Sequence, residues 1–344
     1  MPMDTYIILL NWNGWKDTIE CLESLFRLRD DNFRVIVCDN ASSDDSFEQI
    51  KAWAQGRVAV RALNEELEGL SSPPVRKPLA YCELENAAKG RNRRCPEARL
   101  ILIQTGANLG FAGGSNVGLR FALEDPVCRF CWLLNADTVV APDALAALRR
   151  TAEQNPDIGI CGSLTLSYFS PREVQAPGGK SYNYLTSRVQ KLRFTSVDQL
   201  PASQESFDFV NGASMFVTRR FLETVGLMEE SYFLYFEELD WAMRSKGRFV
   251  LGYAPNSIIY HKEGAQAGSN SDRMKRSLLS DRYLSKNRVL FTKRYLPWAL
   301  PSVLITVVLA AGYRLIRGDP KRAGVMLASM FEGLRDHARS GETA

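Results

Sequence analysis

Through its first half the chain alternates short apolar runs with amphipathic stretches, and each apolar run stops at a polar cluster. Residues 6–10 (Tyr-Ile-Ile-Leu-Leu) end at Asn11-Trp12-Asn13-Gly14, the pattern of a buried strand opening into a loop. Ile19, Leu22, Leu25, Phe26 and Leu28 then recur at helical spacing. A second run, residues 33–38, ends at Asp39-Asn40-Ala41-Ser42-Ser43. The helix predicted after it opens with Asp45-Ser46-Phe47-Glu48, which reads as a capping box. Residues 58–63 are expected as a third strand, and runs at 100–103, 130–134 and 158–166 supply more. This alternation predicts an α/β fold with a mainly parallel sheet flanked by helices. In such sheets ligands bind beyond the carboxyl ends of the strands. The polar clusters at Asn11, Asp39 and Asn135-Ala136-Asp137 all fall at such ends.

Residues 64–98 break the rhythm. They carry Pro73-Pro74, Pro78 and a basic polar stretch at 89–94, and are expected as an inserted loop. Beyond 166 the pattern is less regular. Strands are expected near 207–217, 248–253 and 257–260, a short helix at 237–246 and a longer one at 273–293. The chain therefore divides into one domain over residues 1–272 and a helical C-terminal extension over 273–344.

Within that extension residues 296–313 hold no charge, between Lys293-Arg294 and the cations Arg314, Arg317, Lys321 and Arg322. Eighteen helical residues rise about 27 Å, only just the depth of a bilayer's hydrocarbon core. Pro297, Pro301 and Gly312 interrupt them. An in-plane anchor on the anionic cytoplasmic leaflet is the expectation. A single span, or a helix packed on the main domain or a second subunit, are the alternatives.

Composition narrows the function classes. With 344 residues, 45% hydrophobic and 24% charged, the chain is a globular protein of one large or two modest domains. A net charge of +4, without a basic run interleaved with aromatics, argues against a nucleic-acid partner. Seven cysteines are scattered, and Cys128-Arg129-Phe130-Cys131 lacks a second pair or a nearby His, so buried reduced thiols are expected. Met-Pro-Met-Asp-Thr leads straight toward a strand without a signal-like apolar core, so a cytoplasmic location is expected.

Four stretches could carry chemistry. Asn135-Ala136-Asp137 ends an apolar strand, where a carboxylate could hold a divalent cation and ligand phosphates, or merely cap the next helix. Glu237-Glu238-Leu239-Asp240 follows Tyr232-Phe233-Leu234-Tyr235-Phe236. The aromatic wall would raise a carboxyl pKa toward general-base duty. The alternative is an acidic cluster that only stabilises its helix. Residues 108–118 (Asn-Leu-Gly-Phe-Ala-Gly-Gly-Ser-Asn-Val-Gly) let a ligand lie against backbone, although they match neither a dinucleotide fingerprint nor a P-loop. His261, ending a strand, matters only beside a metal, and His337 is given no role.

Together these pieces resemble a family 2 glycosyltransferase of the GT-A fold, and most nearly its rhamnosyltransferase-like branch. The resemblance runs in order from Tyr6 to about Pro297, excluding 64–98. It rests on Leu10-Asn11-Trp12-Asn13-Gly14, Val37-Cys38-Asp39-Asn40-Ala41-Ser42, residues 108–118, Leu133-Leu134-Asn135-Ala136-Asp137, Val210-Asn211-Gly212-Ala213, Tyr235-Phe236-Glu237-Glu238-Leu239-Asp240 and His261. It implies that Asp39 holds a pyrimidine base, with Asn11 and Asn40 lining the nucleotide pocket. It implies that Asn108, Gly110, Phe111, Gly113 and Asn116 border the donor's ribose and sugar. Asn135 and Asp137 stand at the family's D-x-D motif, with Asp137 and His261 as ligands to Mg2+ or Mn2+. Glu238 is implied as the catalytic base, with Glu237 and Asp240 as rivals. The chain departs from the pattern in having Asn for the first D-x-D acid, Glu for the more usual Asp base, and Leu227-Met228-Glu229-Glu230 where relatives often carry Phe-Asp-Glu.

The implied activity is an inverting transfer of a sugar, rhamnose from dTDP-rhamnose in this branch, from a nucleotide-diphosphate donor to a glycan or lipid-linked acceptor in cell-surface polysaccharide synthesis. The implied place is the inner face of the cell membrane. A UDP-sugar-dependent transferase, a nucleotidyltransferase and a non-catalytic sugar-nucleotide-binding or scaffold protein are the rival readings. The nucleotidyltransferase would want a basic glycine-rich loop after the first strand, which Asn11-Trp12-Asn13-Gly14 is not. The acidic pair Glu237-Glu238 argues against the scaffold.

Overall fold

The computed structural model describes residues 3–85, 98–190, 195–200, 206–263 and 277–336. Its centre is one large mixed sheet. Strands β1 (Thr5–Asn11), β2 (Phe33–Asp39), β3 (Tyr81–Glu85), β4 (Leu100–Gln104) and β5 (Phe130–Asn135) run parallel, in the spatial order β3-β4-β2-β1-β5. Beyond β5 the order continues through β13 (Ser214–Thr218), β7 (Ile158–Ser167), β14 (Val250–His261) and the short β6 (Thr138–Val140), while β8 (Val174–Pro177) pairs with β7. Two small ribbons complete the strands: β9 (Gly179–Lys180) with β12 (Phe209–Val210), and β10 (Tyr182–Asn183) with β11 (Arg188–Val189). The buried pattern of β1 and β2 along nearly their whole length is that of a sheet covered on both faces.

Helices α1 (Trp15–Leu25), α2 (Ser46–Ala54) and α4 (Ala144–Gln154) border one hydrophobic core, which includes Ile19, Leu22, Ile50, Trp53 and Leu148. Helix α3 (Gly110–Leu123) covers a second core beneath β1 and β2, next to α5 (Arg219–Val225) and α6 (Glu237–Ser245). Close approach explains the glycines of α3. A Cβ on Gly118 would lie 2.7 Å from Ile8, and one on Gly114 would lie 2.4 Å from Leu10.

Four expectations change. Residues 58–63 form no strand. Their place beside β4 is taken by β3, from within the stretch expected as a loop. The same stretch contains a 3-10 turn at Glu65–Leu70 whose Leu67 is buried. The basic segment 89–94 lies outside the described residues. The expected capping box is absent: Asp45 has a left-handed φ of 59° and no side-chain cap bond, and the Asp44 carboxylate accepts the Ser46 N–H instead (3.2 Å). The strands expected at 248–253 and 257–260 are one strand, β14, with an irregularity between Ala254 and Ile258. Cys21, Cys38, Cys128, Cys131 and Cys161 are buried free thiols, as expected, but Cys82 is disulfide-bonded.

The C-terminal helices are α7 (Leu278–Tyr295), α8 (Leu300–Ile316) and α9 (Pro320–Arg335). The 272/273 boundary falls in residues 264–276, outside the described set. Helix α7 packs closely on the main domain. Leu290 and Phe291 join Tyr182, Tyr232 and Phe236 in one cluster, and Asn287 Nδ2 donates to the carbonyls of Tyr232, Leu234 and Tyr235 (2.8–3.0 Å). Residues Pro297–Ile316 are long and apolar enough to cross a membrane, with mean hydropathy 1.8 and 28% of the segment buried in the protein.

Candidate active site

Parallel register brings three strand ends together. Asn11 pairs with Asp39, Leu10 with Asn135, and Asp39 with Gln104, so the polar clusters share one edge of the sheet. There Asn11 Nδ2 donates to Asp39 Oδ1 (2.7 Å), and Thr18 Oγ1 donates to Asn11 Oδ1 (2.8 Å). The Ser42 hydroxyl and backbone N–H both donate to the Asp39 carboxylate (2.6 and 3.1 Å). These bonds fix the Asp39 carboxylate, and its remaining lone pairs can still accept from a ligand N–H.

Asn40 links this edge to the glycine-rich helix. Its Nδ2 donates to Asn108 Oδ1 (3.0 Å) and to the Gly110 carbonyl (3.2 Å), and its Oδ1 accepts the Leu109 N–H (3.0 Å). Gly110 is obligatory: its φ is +72°, and a Cβ there would meet the Phe233 carbonyl at 2.3 Å. The Phe111 N–H donates to that carbonyl (2.6 Å). A Cβ on Gly113 would meet Leu109 at 2.8 Å. Asn116 is spoken for internally. Its amide donates to the Met228 carbonyl and Glu230 and accepts the Met228 N–H (2.9–3.1 Å), clamping residues 228–230 onto α3.

At the end of β5, His261 Nε2 stands 3.2 Å from Asp137 Oδ1 and 3.3 Å from Asn135 Nδ2. Strand β14 delivers His261 opposite Thr138, and the Lys262 N–H donates to the Asp137 carbonyl (3.0 Å). Gln175, on β8, fixes the ring. Its Nε2 donates to the His261 carbonyl (3.1 Å), leaving Oε1 to accept from Nδ1–H (3.0 Å). With Nδ1 engaged by Gln175, the other ring nitrogen, Nε2, is left facing the Asp137 carboxylate, the placement a histidine needs to share a cation with it. Burial pushes the Asp137 carboxyl up, but the adjacent His261 and Lys262 more than offset this and hold it below its usual range. Lys262 is held in turn by Asp17 and by Glu20 (2.6 Å) on α1.

Among the described residues no group of three metal-ligating side chains converges. Asp137 and His261 supply two donors on one side, which fits a divalent cation whose remaining ligands are oxygens of a bound diphosphate and water.

The acidic cluster resolves into three environments. Asp240 is fully buried and accepts from Arg244 Nε (2.7 Å), Tyr295 OH (2.6 Å), Tyr232 OH (3.2 Å) and Arg294 (3.4 Å). It is a structural anchor for α6 and α7. Glu237 is also buried, its Oε2 lacks a partner, and burial together with the neighbouring Glu238 charge drives its carboxyl well up. Glu238 is partly exposed. Burial raises its carboxyl too, while its own backbone N–H and the Lys180 ammonium pull it partly back.

The Glu238 carboxylate lies against Gly212, where a Cβ would stand 2.1 Å from Oε1. The next residue's carbonyl, that of Ala213, accepts the Asn135 N–H (3.0 Å). One peptide unit thus separates the support of Glu238 from the support of the Asn135–Asp137 corner. Gln175 and Thr18 were not singled out from sequence, and no motif marks them, while Ser42 closed a matching stretch without an assigned part. Gly212 lay within a matching stretch without an assigned part.

Residues 79–278, more than half of the chain, match the family model described as glycosyltransferase like family 2. The chain belongs to glycosyltransferase family 2. Residues 6–72 match a second model, glycosyl transferase family 2.

Among curated proteins this family 2 member resembles the low-salt glycan biosynthesis hexosyltransferase Agl10 of Haloferax volcanii, with 25% identity over 173 residues. The match covers 48% of this chain and 53% of the relative, so the chain spans about half the length of that protein. Among solved structures, the mannosyltransferase PcManGT of Pyrobaculum calidifontis, in complex with GDP-Man and Mn2+, superposes with a TM-score of 0.51 at 14% identity. That match covers 98% of this chain and 88% of the other. GalNAc-T7, bound to UDP, GalNAc and Mn2+, gives a TM-score of 0.50 at 12% identity, covering 84% of this chain and 51% of the other. The fold is GT-A, an α/β fold with a mostly parallel sheet flanked by helices and a C-terminal helical region, as the motifs implied.

Proposed function

We propose that this family 2 member is an inverting glycosyltransferase that moves a hexose from a nucleotide-diphosphate donor to a hydroxyl of a glycan or lipid-linked acceptor at the inner face of the cell membrane. The observation that carries the reading is the arrangement around Gly212 and Ala213. A partly exposed carboxylate with a raised pKa stands on one side, and the Asp137–His261 corner stands on the other.

Asp39, Asn11 and Asn40 bind the nucleotide at the β1 and β2 ends, and Asn108, Gly110, Phe111 and Gly113 form the backbone wall beside the ribose and sugar. Asp137 and His261 would hold Mg2+ or Mn2+, which supplies positive charge for the leaving diphosphate. PcManGT and GalNAc-T7, whose structures contain Mn2+ and a sugar nucleotide or nucleotide, support the metal reading. Glu238 accepts the proton of the acceptor hydroxyl as its oxygen attacks the anomeric carbon from the face opposite the diphosphate. A single displacement of this kind inverts the configuration. The donor of the rhamnosyltransferase-like branch, dTDP-rhamnose, is the first to test, beside UDP- and GDP-linked hexoses.

The test is Glu238→Gln. Nucleoside diphosphate release from the donor panel, measured with Mn2+, should fall about a hundredfold or more at unchanged donor binding. Near-normal release from a correctly folded variant would remove Glu238 from the base role.

A further inference from the structure

We propose that the outer face of α8 and the β10–β11 hairpin form one docking surface for an anionic lipid bilayer, with α8 lying in the membrane plane. The docking stands apart from the transferase reading. Only its use, presenting a lipid-linked acceptor to Glu238, rests on that reading.

Helix α8 has two unlike faces. Val303, Val307 and Ala311 point inward and are buried, Val307 with Val289 and Met330, Ala311 with Ala323 and Met326. The opposite face exposes Ile305 (59%), Leu309 (67%) and Ile316 (84%), with Val308 beside them. Their spacing places them on one side of the helix. Trp298, ahead of the stripe, and Tyr313, within its C-terminal end, are both exposed, amphipathic rings of the kind found at a membrane interface.

A transverse span does not fit these contacts. The inner face of α8 packs on α7 and α9, which carry Arg282–Glu332, Lys286–Glu332 and Lys286–Asp336 ion pairs. Arg314, on α8 itself, is buried near Asp281, which also pairs with Arg322 (3.0 Å). Crossing the bilayer would drag these charges into hydrocarbon. Lying in the plane sinks only the exposed stripe and leaves the ion pairs outside.

The hairpin extends the same surface. Leu185 and Val189 are about half exposed, and the Leu185 carbonyl accepts from the Ser302 hydroxyl of α8 (2.7 Å), so the turn sits directly beside the stripe. Charge complementarity selects a lipid surface over a second copy or another protein. No acidic residue occurs in 296–318 or in 181–190, while Arg317 and Lys321 are exposed at the end of the stripe. The hairpin also reaches the site: the Tyr182 ring meets Phe236 and Phe291 edge-on (6.1 and 5.8 Å), and Phe236 directly precedes Glu237-Glu238.

The experiment is co-sedimentation of the full chain with phosphatidylcholine vesicles, with and without phosphatidylglycerol. The wild type should bind the anionic vesicles, more weakly at high salt. Two double variants, Ile305→Glu with Leu309→Glu and Leu185→Glu with Val189→Glu, should each weaken binding about tenfold or more, without changing the thermal unfolding midpoint. Nucleoside diphosphate release in vesicle-free solution, measured on the same samples, reports the transferase reading separately. The proposal is overturned if the wild type stays in the supernatant. It is also overturned if the hairpin variant binds as well as wild type, or if the α8 variant only converts a dimer to a monomer with vesicle binding unchanged.

Discussion

Replacing Gly212 by alanine puts a methyl carbon 2.1 Å from Glu238 Oε1, 3.0 Å from its Cδ and 3.2 Å from its Cγ. Ordinary contact between such atoms needs well over 3 Å, so the carboxylate must retreat by about 1 Å or more. Because the obstructed atom is the end of a flexible side chain at a partly open position, the fold should absorb the change at little cost in stability. The chemistry should not. A displacement of about 1 Å in a reacting group costs on the order of a hundredfold in rate, equivalent to about 2.7 kcal/mol of barrier. Initial rates of nucleoside diphosphate release would be measured over a range of donor concentrations, beside the thermal midpoint. The expected result is a kcat lower by about a hundredfold, with KM and midpoint near wild type. A kcat within about threefold of wild type would show that the carboxylate against Gly212 is not the working base, because it could be moved without consequence.

Asp240→Ala should behave in the opposite way. It strips the acceptor from Arg244, Tyr295, Tyr232 and Arg294 and should destabilise the protein by about 3–5 kcal/mol in urea unfolding. Gln175→Leu removes the group that orients the His261 ring and should weaken Mn2+ binding about 10- to 100-fold, read by titration of the metal in the presence of a nucleoside diphosphate. The pH profile of kcat/KM should fall on its acid side. Glu238 works only when deprotonated and burial raises its carboxyl, so the rate is lost as pH drops through a value above the ordinary range near 4.3. Glu238→Gln should remove that limb.

The carboxyl ends of β1, β2 and β5 were legible because an apolar run that stops at Asn or Asp reads the same in sequence and in the sheet. The third strand was not. Val58 and Val60 alternate as a strand would, yet they only pack at the edge of the core, and β3, with Glu83 and Glu85 in it, pairs with β4. Tertiary pairing decided between two short segments of similar local character. The acidic cluster shows the same limit within the site. Three acids in four residues announce chemistry, but which one is available depends on Tyr295 and Arg294 arriving from α7 and on the gap left by Gly212. The family resemblance implied Asn116 beside the donor. Its partners, Met228 and Glu230, lie more than a hundred residues away in the chain. Gln175 had no sequence signal, since a single glutamine on a short strand gains meaning only from the histidine it faces.

The central claim is that the Asp137–His261 corner and the β1–β2 edge together hold a metal-bound nucleoside diphosphate. It is tested most directly by thermal unfolding with UDP, dTDP and GDP, each with and without Mn2+, on the wild type and on Asp137→Ala. The account predicts stabilisation by at least one of these nucleotides that requires Mn2+ and disappears in the variant. Stabilisation of equal size without the metal, or in Asp137→Ala, would contradict it.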